Sequence, residues 1–190
     1  MGCSSSKKIS FENYTFDSTP EFSLNGQFLN CRVVDIYDGD TCTCVIPFCN
    51  HLYKFIIRLS DIDTCEVKSK NEKNKDLAYQ ARSRLYQLIT KSNTIIDKNI
   101  KRKELRNMLN KQVFIITISC GDFDKYGRLL GWLYDKDTKL PQNVENSFNH
   151  ILIKEKLAYF YQGNTKLSEE EQTEQLTITT TSILSQNNSV

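Results

Sequence analysis

Three acidic side chains and one arginine lie in the nine-residue segment 58–66, which reads RLSDIDTCE. Asp61, Asp63 and Glu66 are more than a single turn requires. Carboxylates this close in sequence repel one another unless solvent or a cation offsets their charge. Hard divalent cations such as Ca²⁺ bind carboxylate, carbonyl and water oxygens. The segment therefore predicts either a solvated turn or one side of a cation site.

Two further charged motifs stand at the ends of predicted strands. YDGDT closes the first predicted hairpin, and DKYGR precedes the last predicted strand. Taken alone, Asp-Gly-Asp is typical of an Asx turn, and Arg58 and Arg128 have nearby partners in Asp61 and Asp124. If a barrel brings the motifs together, two arginines can bind a phosphate bidentately and a carboxylate can orient or deprotonate a water. The combined set predicts phosphodiester hydrolysis.

Hydrophobic periodicity predicts the elements that position these motifs. Strands are predicted three times within 27–60, at 112–120 and at 129–134, helices at 76–89, 98–110 and 145–157, and a polar turn at 121–128. Three strands, a helix and two strands follow the OB-fold order. The expected fold class is α+β, a five-stranded OB-fold β-barrel with two to three packed helices.

Length and composition indicate one folded domain with a tail at each end. The chain has 190 residues, of which 39% are hydrophobic. We expect an N-terminal tether at 1–24, the domain at 25–167 and a disordered acidic tail at 168–190, which is rich in Glu, Thr, Ser and Gln and lacks Lys and Arg. A monomer is expected.

Seven cysteines without framework spacing indicate reduced thiols. Cys42, Cys44 and Cys49 precede His51, but their spacing fits no common zinc motif, so buried thiols are the favoured interpretation. No apolar run reaches the length of about 18 residues that spans a membrane.

Positive charge is concentrated in the middle of the chain. The net charge is +2, yet residues 67–112 contain 13 Lys and Arg against four Asp and Glu. This basic segment fits a surface that binds nucleic acid or anionic lipid, and it also fits a solvated helical face.

The first eight residues, MGCSSSKK, carry signals for lipidation. Gly2 with Ser6 four positions later matches the N-myristoylation pattern, and the adjacent Cys3 is placed for palmitoylation. Lys7 and Lys8 favour anionic lipid, and two signals together give stable anchoring. The sequence predicts a lipid-anchored protein on the cytosolic face of a membrane, or a cytoplasmic protein if it is not acylated.

Three blocks of the sequence resemble the signature blocks of the staphylococcal nuclease (thermonuclease) family, in the same order: YDGDT (37–41), RLSDIDTCE (58–66) and DKYGR (124–128). Residues 147–166 resemble the C-terminal helix region of that family. The resemblance covers about 27–166. It implies a calcium-dependent nuclease that cleaves DNA or RNA and leaves 3′-phosphate ends.

The resemblance also implies roles for individual acids. Asp40 and Asp63 match the aspartates that ligate Ca²⁺, and Thr64 matches the residue whose carbonyl completes the protein ligands. Glu66 matches the acid proposed as general base or water positioner. Cys65 departs from the family, which usually has proline there, and oxidation of a thiol at this position would inhibit the enzyme.

Arg58 and Arg128 match the two arginines that hold the scissile phosphate. Tyr126, Tyr159 and Tyr161 are candidate substrate-binding residues. Tyr159 and Tyr161 are also candidates for stacking on bases, although core packing is the favoured interpretation for these two. The stretch between the second and third blocks is longer than in the bacterial enzyme. Family copies that have lost catalysis act as binding modules, so the alternative function is a weak or inactive nucleic-acid-binding OB-fold module at a membrane.

Overall fold

The computed structural model describes residues 11–136, 138, 143–163 and 165–177. These residues form seven strands and four helices. The strands are β1 Phe28–Ile36, β2 Thr41–Phe48, β3 His51–Leu59, β4 Ile62–Asp63, β5 Ile115–Phe123, β6 Leu129–Asp135 and β7 Tyr159–Phe160. The helices are α1 Glu72–Thr90, α2 Arg102–Asn110, α3 Phe148–Lys154 and α4 Glu169–Thr177, and the 3₁₀ turn Val144–Asn146 precedes α3.

Five of the strands close into a barrel in the order β1-β2-β3-β6-β5. All neighbours are antiparallel except β3 and β6, which pair in parallel with Ile57 opposite Leu129. Closure leaves no unpaired sheet edge. This order is that of the OB-fold. The predicted α+β class and five-stranded barrel are confirmed, with four helices instead of two or three.

Alternation along the strands separates the barrel core from its surface. In β2, Cys42, Cys44 and Ile46 are buried, whereas Thr41 and Val45 are partly exposed. Each large aliphatic side chain that is fully buried contributes about 1.5–3 kcal/mol relative to exposure. Helix α2 covers the outside of β1 with its buried leucines, Leu105 and Leu109.

The cysteines of the described residues are free thiols. The Sγ atoms of Cys42 and Cys44 lie 3.9 Å apart inside the barrel. Cys49 and His51 are exposed at the β2–β3 hairpin. Cys49 and Asn50 both have positive φ, as a type I′ turn requires. The four candidate zinc ligands are therefore divided between the core and the surface.

Two of the differences from the predicted boundaries change which residues belong to the barrel. Strand β5 continues through a bulge to Phe123, which pairs with Leu129, so the polar turn begins at Asp124 instead of Gly121. Leu24, which the prediction places in the tether, is buried in the barrel core. The folded part therefore begins before residue 25.

The predicted disorder from residue 168 onward is wrong for α4. Ser168 and Glu171 form a capping box, in which each side chain accepts a hydrogen bond from the other's backbone N–H, at 3.3 and 2.7 Å. Leu176 is buried against Cys65 and Tyr159. A local cap and one apolar contact outweigh the polar composition. Residues 178–190 of the predicted tail lie outside the described residues.

No helix within the described ranges is long and apolar enough to cross a membrane. The predicted lipidation sites, Gly2 and Cys3, lie outside the described residues.

Candidate functional site

A groove of about 1210 Å³ collects residues from all three charged motifs. It opens beside the β1–β2 turn, the end of β3 and the β5–β6 turn. Its lining includes all five of the charged residues predicted for the site: Asp40, Arg58, Asp63, Glu66 and Arg128. Barrel closure therefore brings together acids and arginines that are separated by up to 88 positions in the sequence.

Strand register places Arg58 beside the first acid. Arg58 in β3 lies opposite Thr41 in β2, and the backbone N–H of Leu59 donates to the carbonyl of Asp40 at 2.8 Å. The side chain of Asp40 accepts from Thr64 through both the backbone N–H and Oγ1, each at 3.1 Å. These contacts tie the β1–β2 turn to the chain after β4.

Asp40 and Asp63 meet at the guanidinium of Arg58. Nη1 of Arg58 is 3.2 Å from Oδ2 of Asp40, and Nη2 is 2.5 Å from Oδ1 of Asp63. Nη1 also donates to the carbonyls of Leu59 and Ile62. All three ionic side chains are buried, so each depends on the others for compensation. Arg58 thus pairs with the two predicted metal ligands and not with Asp61.

The acids around Arg58 also act on one another. Burial and the charge of Asp40 raise the pKa of Asp38 to about 8. Burial and Asp40 also raise the pKa of Asp63, against the lowering effects of Tyr159, Lys166 and Arg58. Burial and mutual repulsion thus disfavour the ionised form of these two carboxyls, and a cation bound beside them would stabilise that form.

The donors at this site suit a hard cation. Asp40 and Asp63 present carboxylate oxygens, which Ca²⁺ prefers, and the site contains no nitrogen or sulfur donor that would favour zinc. Within the described ranges, no three His, Cys, Asp or Glu side chains form a metal-binding group. Backbone and water oxygens would have to complete the coordination shell.

Lys166 is a site residue that sequence reasoning missed. Its Nζ lies 3.1 Å from Oδ1 of Asp63 and 3.2 Å from Oε1 of Glu66. Burial lowers the pKa of Lys166, but the two carboxylates outweigh burial and the net shift is upward. Lys166 lies 100 positions from Glu66, so no local pattern links the two residues. The only signal in the sequence was that the acids of segment 58–66 outnumber its one arginine.

Arg128 approaches the groove from the β5–β6 turn. Its Nε donates to Oδ2 of Asp124 at 2.7 Å, so the Asp124 pairing considered from sequence is present. Burial raises the pKa of Asp124, but hydrogen bonds from the backbone and side-chain N–H groups of Arg128 lower it by more. The net shift of the pKa is downward, and Asp124 is ionised at neutral pH. Among the contacts of the described residues, Asp124 engages only Nε, which leaves the terminal guanidinium nitrogens for another anion.

The three candidate tyrosines occupy different environments. Tyr126 is 73% exposed, with its ring centroid 5.5 Å from Cζ of Arg128. Tyr161 is half-buried in the groove wall, where its N–H donates to the carbonyl of Asp61. Tyr159 is 3% exposed and donates from its hydroxyl to Oδ2 of Asp63. The substrate-stacking role is therefore wrong for Tyr159, which supports Asp63 instead.

Pairing of the two shortest strands explains the position of Tyr159. Asp63 in β4 lies opposite Tyr159 in β7, so the hydroxyl reaches the carboxylate. Burial, followed by the hydrogen bond to Asp63, raises the pKa of Tyr159, which keeps the hydroxyl protonated as a donor. Strands of two residues are too short to show alternation, so no sequence pattern indicated this contact.

Cys65 is buried and does not face the groove. It is 1% exposed and packs with Ala78, Tyr159 and Leu176. Burial, followed by the charge of Asp63, raises the pKa of its thiol to about 12. Thiolate is the form that oxidises readily, so the expected inhibition by oxidation at Cys65 is disfavoured.

Two polar side chains outside the predicted set hold the groove wall. Asp61 has φ of 61° and accepts from Nε1 of Trp132 at 3.2 Å. Asn149 on α3 is buried, donating to the carbonyls of Ser60 and Gly131 and accepting from the N–H of Leu133. Asn149 thus joins β3 to β6 where these strands run parallel. An asparagine at a buried helix position was the only sequence signal.

Comparison with known families adds one match. The sequence model of a family described as "Staphylococcal nuclease homologue" matches residues 56–181, about two thirds of the chain. The matched range contains Arg58, Asp63, Glu66 and Arg128, whereas Asp40 precedes it. No curated protein matches the chain.

Proposed function

The chain belongs to the staphylococcal nuclease homologue family, as its motifs predicted, and on this basis we propose that it is a calcium-dependent nuclease. Nucleases of this family are hydrolases that typically use Ca²⁺. The proposed reaction is hydrolysis of phosphodiester bonds in DNA or RNA. The bond to the 5′ oxygen breaks, which leaves a 3′-phosphate and a free 5′ hydroxyl.

One observation carries the proposal. Two buried aspartates, Asp40 and Asp63, meet at one arginine in the floor of a groove whose rim presents Glu66 and Arg128. A turn that was only solvated would not bury a carboxylate pair, because burial of ionised groups costs several kcal/mol each unless they are compensated. The arrangement fits cation and phosphate binding in one place.

Asp40, Asp63 and the carbonyl of Thr64 are the proposed Ca²⁺ ligands. When bound, Ca²⁺ would supply Lewis-acid polarisation of a phosphoryl oxygen. Tyr159 and Lys166 hold Asp63 in place through its two oxygens. The chain thereby keeps its acids preorganised before any cation or substrate arrives.

The arginines are proposed to bind the scissile phosphate. The terminal nitrogens of Arg128 can donate to two phosphate oxygens while Asp124 fixes the Nε edge. Arg58 lines the groove beside the acids and would add positive charge where the phosphate gains negative charge during attack. Tyr126, exposed beside Arg128, is placed to stack on a base.

Glu66 is the proposed general base. Its carboxylate is exposed in the groove, and Lys166 holds one oxygen at 3.2 Å. A carboxylate in this position can accept the proton of the attacking water as the water oxygen bonds to phosphorus. The departing 5′ oxygen takes up a proton from solvent.

The test is digestion of single-stranded DNA and RNA by the purified full-length chain with Ca²⁺, with Mg²⁺ and with a chelator. We expect Ca²⁺-dependent cleavage that falls by about 10²–10⁴-fold in Glu66→Gln and by about 10²–10³-fold in Arg128→Ala. Glu174→Gln on the exposed side of α4 makes the same charge change outside the groove and should cleave normally.

Two results would contradict the proposal. Cleavage that survives in both groove variants would place the chemistry elsewhere. Nucleic-acid binding without any cleavage by the unmodified chain would favour the alternative, a binding module that has lost catalysis.

We also propose that Gly2 and Cys3 are acylated and hold the enzyme on the cytosolic face of a membrane. The opening MGCSSSKK supports this, since it combines two acylation signals with two lysines. The domain would then extend from the tether toward nucleic acid in the cytosol.

A further inference from the structure

A second pocket, of about 400 Å³, lies between α1 and the segment that leads into α2. Five cationic side chains line it: Lys75, Arg82, Lys98, Lys101 and Arg102. It belongs to the basic segment 67–112, for which the sequence left nucleic acid, anionic lipid and solvent as alternatives.

The acids of this pocket are already matched by lysines. Glu72 pairs with Lys75 at 3.3 Å, and Asp76 pairs with Lys98 at 3.2 Å. These four charges cancel. The positive charge that remains comes from Arg82, Lys101 and Arg102, and only Arg102 among them has a carboxylate partner in the described residues, Asp35.

Arg82 is the unusual member of the set. It is 5% exposed and forms no salt bridge with a carboxylate of the described residues. Its Cζ lies 4.9 Å from the ring centroid of Tyr79. Its one hydrogen bond among the described residues is a long one, 3.4 Å, to the carbonyl of Ile100, and its Nε has no partner. Arg84, two positions later, instead makes two 2.7 Å bonds to Glu155.

A buried guanidinium without a salt-bridge partner is costly. Burial lowers the pKa of Arg82, although Tyr79 and Asp38 act in the opposite direction. Arginines are almost never buried unless they are paired. A pocket that holds such a side chain, and has further cations around it, is built to receive a negatively charged group from outside the chain.

The position of Arg102 indicates where that group comes from. Arg102 lines both this pocket and the groove that contains Asp40 and Arg128. In the groove it stacks on Tyr37, with 4.7 Å between Cζ and the ring centroid. Arg102 therefore links the groove to the basic pocket, so a strand that leaves the groove past Arg102 reaches that pocket.

We propose that this pocket is an accessory phosphate subsite that binds a backbone phosphate of the same nucleic acid strand whose scissile bond lies in the groove. The inference rests on the proposed nuclease function. Guanidinium groups suit phosphate oxygens because their N–H fork donates to two at once. The subsite makes affinity depend on substrate length, since a short oligonucleotide fills only the groove.

The test compares Lys101→Gln with Lys103→Gln in the full-length chain. Lys101 lines the pocket and its side chain makes no capping bond at the start of α2, so its replacement should not disturb the helix. Lys103 is exposed two positions away and lines neither pocket nor groove. Binding of a 12-nucleotide and a 3-nucleotide single-stranded DNA is measured by anisotropy in chelator across several salt concentrations.

We expect Lys101→Gln to weaken binding of the 12-mer about fivefold at 0.1 M salt and to reduce the salt slope by about 0.7. The 3-mer should bind as before, and Lys103→Gln should change neither. Arg82→Gln should repeat the effect of Lys101→Gln if it folds, as circular dichroism would show. If it does not fold, Lys101→Gln alone decides.

Three outcomes would overturn the subsite. Equal losses in the Lys101 and Lys103 variants would mean diffuse charge, and equal losses for both DNA lengths would place Lys101 in the groove. Weaker binding to phosphatidylserine vesicles with unchanged DNA binding would assign the pocket to lipid. Cleavage with Ca²⁺ is measured on the same preparations, so a protein that binds DNA with this length dependence but does not cleave would contradict only the nuclease proposal.

Discussion

At the scale of single residues, Arg58 supports both the stability of the domain and its proposed chemistry. It compensates Asp40 and Asp63 inside the barrel end and also lines the groove. Removing it would leave two buried carboxylates with Lys166 as the remaining nearby cation. This double role means that activity and folding must be measured separately in variants of Arg58.

We predict that Arg58→Met lowers the free energy of unfolding by about 3–5 kcal/mol, because it strands buried charge. Arg84→Met is the matched control, since Arg84 also makes a carboxylate pair, but one with Glu155 that is partly exposed. The control should lose no more than about 1 kcal/mol. Urea unfolding followed by tryptophan fluorescence measures both free energies. If Arg58→Met loses no more than Arg84→Met, Arg58 contributes no more to stability than a partly exposed ion pair does.

At the scale of elements, α4 packs against residues that support the candidate site. Its Leu176 packs in one cluster with Cys65, which lies between Asp63 and Glu66 in sequence, and with Tyr159, which donates to Asp63. Asn74 of α1 donates to the carbonyl of Glu169 at 2.8 Å and so ties the two helices together. The helix is therefore part of the domain and not of the tail.

Leu176→Ala is predicted to lower the free energy of unfolding by about 2–3 kcal/mol through the cavity it creates. Gln175→Ala, at an exposed position of the same helix, should change stability by less than about 0.5 kcal/mol. Both are measured by urea denaturation. If the Leu176 variant is as stable as the Gln175 variant, α4 does not contribute to the stability of the domain and belongs to the tail.

At the scale of the whole molecule, the proposed membrane affinity resides in the N-terminal segment and not in the overall charge of the chain. The net charge of +2 gives little general attraction to anionic lipid, so the proposed acyl groups must supply most of the binding energy. A single myristoyl chain binds only marginally and reversibly.

We predict that the full-length chain, co-expressed with N-myristoyltransferase, sediments with vesicles and that Gly2→Ala abolishes this. Cys3→Ser expressed in eukaryotic cells should shift the protein from membrane to soluble fractions in part, because one of two anchors is lost. Ser5→Ala serves as the control, since it lies in the same segment but is not an acylation site. Equal membrane fractions for Gly2→Ala and the control would rule the tether out.

The amino-acid sequence determined the barrel and the identity of its charged motifs. Period-two alternation in β2 and the apolar runs of β3, β5 and β6 depend on local side-chain order, which can be read without tertiary contacts. The three motifs were also visible as residue types at strand ends. Their convergence followed from barrel order alone.

Tertiary structure decided which side chains of the motifs pair with one another. Register, not proximity in sequence, pairs Arg58 with Asp40 and Asp63 instead of Asp61, and strands two residues long bring Tyr159 to Asp63. Lys166 and Arg82 owe their environments to contacts across distant elements. Such contacts arise only when the chain closes, because a side chain's partners depend on burial and register that no local pattern encodes.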